Sequence, residues 1–220
     1  FSSFYPIFYA ILIPNSRYKI KTVENKHTHL VPEELEQLER LSLTDKHMKL
    51  QKSLDAFLFC CYAEMRYSDF TNLSKKNIVD INQETWLIYK SVKTGTEVRL
   101  PLYLLFAGKG IVILNKYRNN LEDFFRLRDN SNINKDLIII AKLAGLSKKI
   151  SFHTARHTNA TLLIYNGVNI TTVQKLLGHK SVKTTQVYTN IMDMTIVHDL
   201  EKIKQAALGI KKKTDNSFNK

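Results

Sequence analysis

Residues 151–190, SFHTARHTNATLLIYNGVNITTVQKLLGHKSVKTTQVYTN, constrain this chain more than any other stretch. Ser151 is a good helix-capping residue, and the helix it opens runs to near Gly167. A second helix near 171–177 closes on Gly178. In that frame His153 and Arg156 fall at i and i+3, one helical turn apart on a shared face. His179 and Tyr188 follow, so the four lie within 36 positions. Two cationic or proton-carrying groups on one face, a further imidazole and a late tyrosine suit attack on a phosphodiester. A tyrosine oxygen can bond to phosphorus if cations absorb the charge that builds on the phosphoryl oxygens.

The net charge of +13 and a pI of ≈ 9.6 raise the prior for a polyanionic partner, because neutralising phosphates releases condensed counterions. Charge alone leaves a merely soluble basic surface as an equal alternative. With 44% hydrophobic residues over 220 positions the chain can bury a core as one large domain, or as a domain with a fragment of a neighbour. Cys60 and Cys61 sit side by side in the apolar run AFLFCCY, which suits reduced core thiols and a cytoplasmic protein. No secretory signal is visible, and the chain begins with Phe, as a piece of something longer would. The opening FSSFYPIFYAILIP is too short to span a bilayer and is interrupted by Pro6 and Pro14. Residues 1–20 are therefore expected to be the end of a preceding domain with its linker.

Pro32 suits a first helical turn, with Glu33, Glu34 and Glu36 complementing the positive helix end. His27 and His29 alternate in a polar stretch that reads as solvated linker. Over 49–65, Leu50, Leu54, Phe57, Leu58 and Cys61 recur at helical spacing. Ser68 or Asp69 is a candidate cap for a short second helix. Trp86, Ile88, Tyr89, Val92, Thr96 and Val98 favour strands, and Thr94-Gly95 punctuates them as a hairpin turn. Helices are expected over 112–127 and 134–144, the latter stopping at Gly145. The amphipathic stretch after Tyr188 offers Ile196, Leu200, Ile203 and Ala207 on one side. Residues 208–220 read as a disordered basic tail. The expected class is mainly α with a small antiparallel β-sheet or hairpin (α+β).

Four motifs, HTARHT, LLGHKSVKTTQVYTN, MRYSDF and VKTGTEVRLPL, occur in an order that resembles the tyrosine recombinase (phage integrase) family. The likeness runs over roughly residues 15–203 and is strongest to integrases of conjugative transposons and related bacterial mobile elements. It implies a catalytic domain over 21–207 with the DNA breaking-rejoining fold. Arg66 then matches the first catalytic arginine and Arg156 the second; two guanidinium forks suit the non-bridging oxygens of one phosphate. The resemblance makes His153 a proton-transfer or hydrogen-bonding partner of the nucleophile, and Lys93 the hairpin lysine that protonates the leaving oxygen, with Lys90 a nearby rival. His179 stands where the family carries His or Trp, and Tyr188 where it carries the nucleophile. Lys75, Lys76, Lys148, Lys149, Lys180 and Lys183 are candidate phosphate contacts, although charge runs are usually solvated faces. One departure stands out. The family often has Gly two positions before the first arginine; here that position is Glu64.

No metal is expected. His153 and His157 at i, i+4 lack the glutamate of a zinc-protease motif and enclose an arginine, so His157 reads as a supporting residue. The resemblance implies metal- and ATP-independent strand exchange through a 3′-phosphotyrosyl link, with no cofactor and no membrane. It further implies double-stranded DNA at a specific site, a homo-tetramer on that DNA, accessory DNA-bending or excision factors, and a place in the bacterial cytoplasm beside the nucleoid. Two other readings stay open: an inactive recombinase-like DNA-binding module, and a type IB topoisomerase activity.

Overall fold

The computed structural model describes residues 28–186 and Tyr188; the expectations for residues 1–20, for the stretch after Tyr188 and for the tail lie outside these. At the centre lies α2 (Gln51–Ala63), entered through a 3-10 turn over Asp45–Leu50. Every residue from Ser53 to Ala63 is buried, so the helix is enclosed on all sides rather than along one stripe. Around it pack α1 (Pro32–Glu39), α4 (Lys109–Lys116), α5 (Leu121–Phe125), α6 (Asn130–Leu143) and α7 (Phe152–Tyr165). Short helices α3 (Tyr67–Thr71) and α8 (Ile170–Leu176) complete the helical part. A three-stranded antiparallel sheet, β1 (Ile78–Ile81), β2 (Glu84–Lys90) and β3 (Glu97–Pro101), runs in the order β1-β2-β3. The α+β class expected from the sequence is the one observed. No described helix is long and apolar enough to cross a membrane.

Several boundaries differ from the sequence expectation. The helix expected over 112–127 is two helices, broken at residues 117–120, where the Asn120 side chain caps α5 by accepting from the Asp123 amide. The next helix begins at Asn130 rather than 134, because the Asp129 carboxylate takes the Asn132 amide. Ser68 and Asp69 lie inside α3 instead of capping it; Arg66 occupies the cap position. The hairpin has a third strand, β1, paired through Ile78↔Leu87 and Val79↔Trp86. Thr94-Gly95 makes the turn as read: Gly95 has φ 69°, and its N–H donates to the Ser91 carbonyl at 2.8 Å.

Buried polar groups on the central helix are matched. Asp55, 1% exposed, accepts from Lys116 Nζ at 2.9 Å and the Tyr117 hydroxyl at 2.8 Å, tying α2 to α4. Asn159 of α7 donates to the Cys61 carbonyl at 2.7 Å. Cys60 and Cys61 are both buried free thiols, pushed well above the usual thiol range by desolvation. Behind α3, Phe70 is the hub of an aromatic cluster, edge-on to Phe59, Phe124 and Phe125 at centroid distances of 5.9, 5.3 and 5.5 Å. The sheet meets the helices where β3 approaches α8. There Gly178 has φ +59°, and a Cβ on it would stand 2.9 Å from Val98 Cγ2.

Phe70→Ala should therefore lower stability by about 3–5 kcal/mol, read from urea unfolding. Ile139→Ala, on the exposed face of α6, should move it by less than about 0.5 kcal/mol.

Candidate active site

The Arg156 guanidinium, 1% exposed, is the point where the ends of several elements meet. Nη1 donates to the Glu64 carbonyl at 2.6 Å, and Nη2 to the Leu177 carbonyl and to His179 Nε2, the latter at 3.1 Å. These contacts use three of the five N–H donors an arginine carries, leaving two. The Glu64 carbonyl is available because α2 stops there: Glu64 has φ 54° and ψ 26°, the left-handed turn that a helix end ordinarily gives to glycine. That conformation costs an L-residue about 1–2 kcal/mol. The Glu64 carboxyl is fully buried, and among the described residues neither of its oxygens has a hydrogen-bond partner. Desolvation pushes it up to about 8, against a smaller downward pull from Arg156.

Two residues on, Arg66 leaves the chain in extended conformation, its side chain 15% exposed. Its Nη1 lies 3.5 Å from Asp69 Oδ2 and 3.5 Å from Ser91 Oγ. Fully buried Asp69 also accepts the Val92 amide at 2.8 Å, so one carboxylate links Arg66 to the base of the hairpin. Lys93, in the turn, is exposed, and its charge acts on His179 together with those of Arg156 and Arg66. Thr94 Oγ1 donates to the Gly178 carbonyl at 3.4 Å, the contact that joins the hairpin to the segment carrying His179.

A guanidinium can only donate, so His179 Nε2 is the acceptor and Nδ1 carries the proton, facing Thr185 Oγ1 at 3.0 Å. Desolvation first, then the Arg156, Arg66 and Lys93 charges, lower His179 from 6.5 to about 4. The ring is neutral at neutral pH. Tyr188 is 6% exposed, and burial raises its hydroxyl above the usual phenol value. Arg156 and Arg66 both pull that hydroxyl down and Glu64 pushes it up. The Tyr188 ring lies 5.5 Å from that of buried His157, which in turn meets the exposed His153 ring edge-on at 4.3 Å.

Arg66, Lys93, Arg156, His179 and Tyr188 thus share one electrostatic environment, and His153 reaches it through His157. The sequence pattern marks Asp69 only as a cap and Tyr89 only as a strand residue, and it does not single out Thr185. A carboxylate three residues after Arg66 was the available signal for Asp69. Of the candidate phosphate contacts, Lys75, Lys76, Lys149, Lys180 and Lys183 are exposed, the last two following His179 in the chain. Lys148 has a different job: its ammonium binds Glu34 at 2.7 Å and the His29 carbonyl at 3.2 Å, holding α1 and the chain before it. Among the described residues no group of three or more His, Cys, Asp or Glu side chains could hold a metal ion. A cavity of about 380 Å³ between α1 and the end of α7 shares no residue with the cluster.

Residues 29–194 match the phage integrase family. A tyrosine recombinase of Pseudothermotoga lettingae is 30% identical over 181 residues, covering 80% of this chain and 60% of that protein. The crystal structure of XerA recombinase superposes with a TM-score of 0.62 at 26% identity, over 80% of this chain and 64% of that one. The Tn1549 transposon integrase, solved in complex with circular intermediate DNA, shares the fold at a TM-score of 0.55 and 17% identity, over 73% of this chain and 60% of that one. The chain spans about half the length of the curated relatives it matches.

His179 gives a pH signature. Its folded value lies below its unfolded one, so the unfolded chain takes up the proton first as pH falls. Stability is lost through the window from 6.5 down to about 4. His179→Gln should flatten that loss, seen as a smaller drop in urea midpoint between about pH 7 and about pH 5 than the unmodified chain shows.

Proposed function

This chain belongs to the phage integrase family, the tyrosine recombinases, and we propose that it carries the strand-cleaving chemistry of a site-specific DNA recombinase. The observation that supports this best is that both Arg66 and Arg156 act on the hydroxyl of Tyr188, so two guanidinium charges and one phenol can serve a common phosphate. In the proposed reaction the Tyr188 oxygen attacks phosphorus, the P–O5′ bond breaks and a 3′-phosphotyrosyl bond forms. The phenol proton passes to His153, with His157 packed against both rings as its support. The Lys93 ammonium protonates the departing 5′ oxygen, which leaves as a hydroxyl. Arg66 and Arg156 stabilise the charge on the non-bridging oxygens, Arg156 through its two remaining donors. His179 holds the Arg156 fork in plane. A 5′-hydroxyl from another strand reverses the step, and the bond energy is conserved without ATP.

The DNA partner is a duplex with a specific recombination site. The exposed Lys75, Lys76, Lys149, Lys180 and Lys183 are proposed as backbone contacts that position it. Residues 21–207 form the catalytic domain in this reading, with the end of a DNA-clamping domain before it and a basic tail over 208–220. The stretch after Tyr188 docks onto a neighbouring protomer in a tetramer, with accessory DNA-bending or excision factors as further partners. Integration or excision of a mobile element is the proposed setting, in the bacterial cytoplasm at the nucleoid. The Tn1549 integrase supports the mobile-element part of this reading, and the Xer relatives support site-specific exchange.

The test is covalent capture on a pool of nicked duplexes with a randomised core, so that the target sequence need not be known beforehand. The unmodified chain should become linked to DNA through residue 188, mapped by mass spectrometry. Tyr188→Phe should capture none, and Arg66→Ala should capture about 10²–10³-fold more slowly. Binding without capture by the unmodified chain would make it a DNA-binding module instead.

A further inference from the structure

Glu64 fits none of the roles assigned above. It occupies a left-handed helix end that glycine would adopt without strain, and it places a fully buried carboxyl, with no hydrogen-bond partner among the described residues, inside the cluster. The charged and titratable groups that face it come from every side. They are Arg156 from α7, Tyr89 from β2 and Tyr188 at the end of the described chain, while Arg66, two residues along its own loop, turns to Asp69 and Ser91. Its backbone is fixed by the Arg156 contact to its carbonyl, and its side chain starts from that anchored position inside the packed cluster.

Resting on the recombinase reading, we propose that Glu64 is a positioning residue whose proton sets how much of the Arg156 charge is available to the scissile phosphate. As a neutral acid it leaves the guanidinium field for the phosphodiester. As a carboxylate it takes that field for itself, repels the incoming phosphate and strengthens the hold of Tyr188 on its proton. The chain holds the switch near physiological pH, because burial keeps Glu64 protonated up to about 8. A phosphate bound beside Arg156 disfavours the carboxylate further, so DNA engagement and proton retention are linked. The sign is then fixed: the competent state predominates below about 8 and is lost as pH rises through that value. A tyrosine nucleophile alone predicts the opposite, since alkali ionises the phenol.

Covalent capture on the nicked pool, followed from about pH 6.5 to about pH 9.5, separates the two. The ratio of the Glu64→Gln rate to the unmodified rate should grow with pH, approaching tenfold per unit above about 8. Glu64→Gly should show the same growing ratio while also relieving the backbone. In a Tyr188→Phe background, affinity for the captured sequence should weaken with pH only when Glu64 is present. A purely structural role would change rates by one constant factor at every pH, and a constant ratio overturns the proposal. Capture by the unmodified chain with such a constant ratio overturns the Glu64 role alone. No capture by any variant overturns the recombinase reading, and this inference with it.

Discussion

A guanidinium withdrawn almost entirely from water holds this fold and its site together. A lone buried cation would be costly, and the chain meets that cost with the carbonyl ends of two helices and one imidazole. The C-termini of α2 and α8 each present carbonyls that their own helices leave unsatisfied. Arg156 satisfies one from each, so the same contacts that pay for its burial set the relative position of Arg66, which follows α2, and His179, which follows α8. Site geometry and fold geometry are a single set of hydrogen bonds.

This arrangement explains why so few of the polar groups stand on long rigid elements. Arg66, Lys93 and His179 all lie in connections, where backbone direction changes within a few residues. Their precision comes from side-chain ties across those connections: Asp69 to Val92, Thr94 to Gly178, and His179 to Thr185. The aromatic cluster behind α3 supplies the stiffness. Phe70 lies one helical turn beyond Arg66 and is walled in by rings on α2, α5 and α7.

Much of this was legible in the chain. The Ser151 cap, Gly167 and Gly178 mark helix boundaries by local chemistry, and local chemistry is what a sequence carries openly. The Thr94-Gly95 turn was legible for the same reason. β1 was not, since Ile78–Ile81 is four residues long, follows a lysine pair, and becomes a strand only by pairing with β2. The break at 117–120 hid inside a continuous apolar rhythm and depends on one asparagine cap. Lys148 read as one more surface charge because its partner Glu34 is more than a hundred positions away in sequence. Glu64 was visible as a departure from the family pattern, yet its consequence depends on burial, which only the packing of α2 against α7 and the sheet reveals.

The close approach of β3 to the turn after α8 has a further effect. With Val98 Cγ2 standing 2.9 Å from where a side chain at 178 would begin, the sheet and the His179 segment are seated without slack. A bulkier residue at 98 would push on the turn, and through it on the imidazole that steadies Arg156. Positions 98 and 178 should therefore drift as a pair among relatives, the strand residue shrinking wherever the turn loses its glycine.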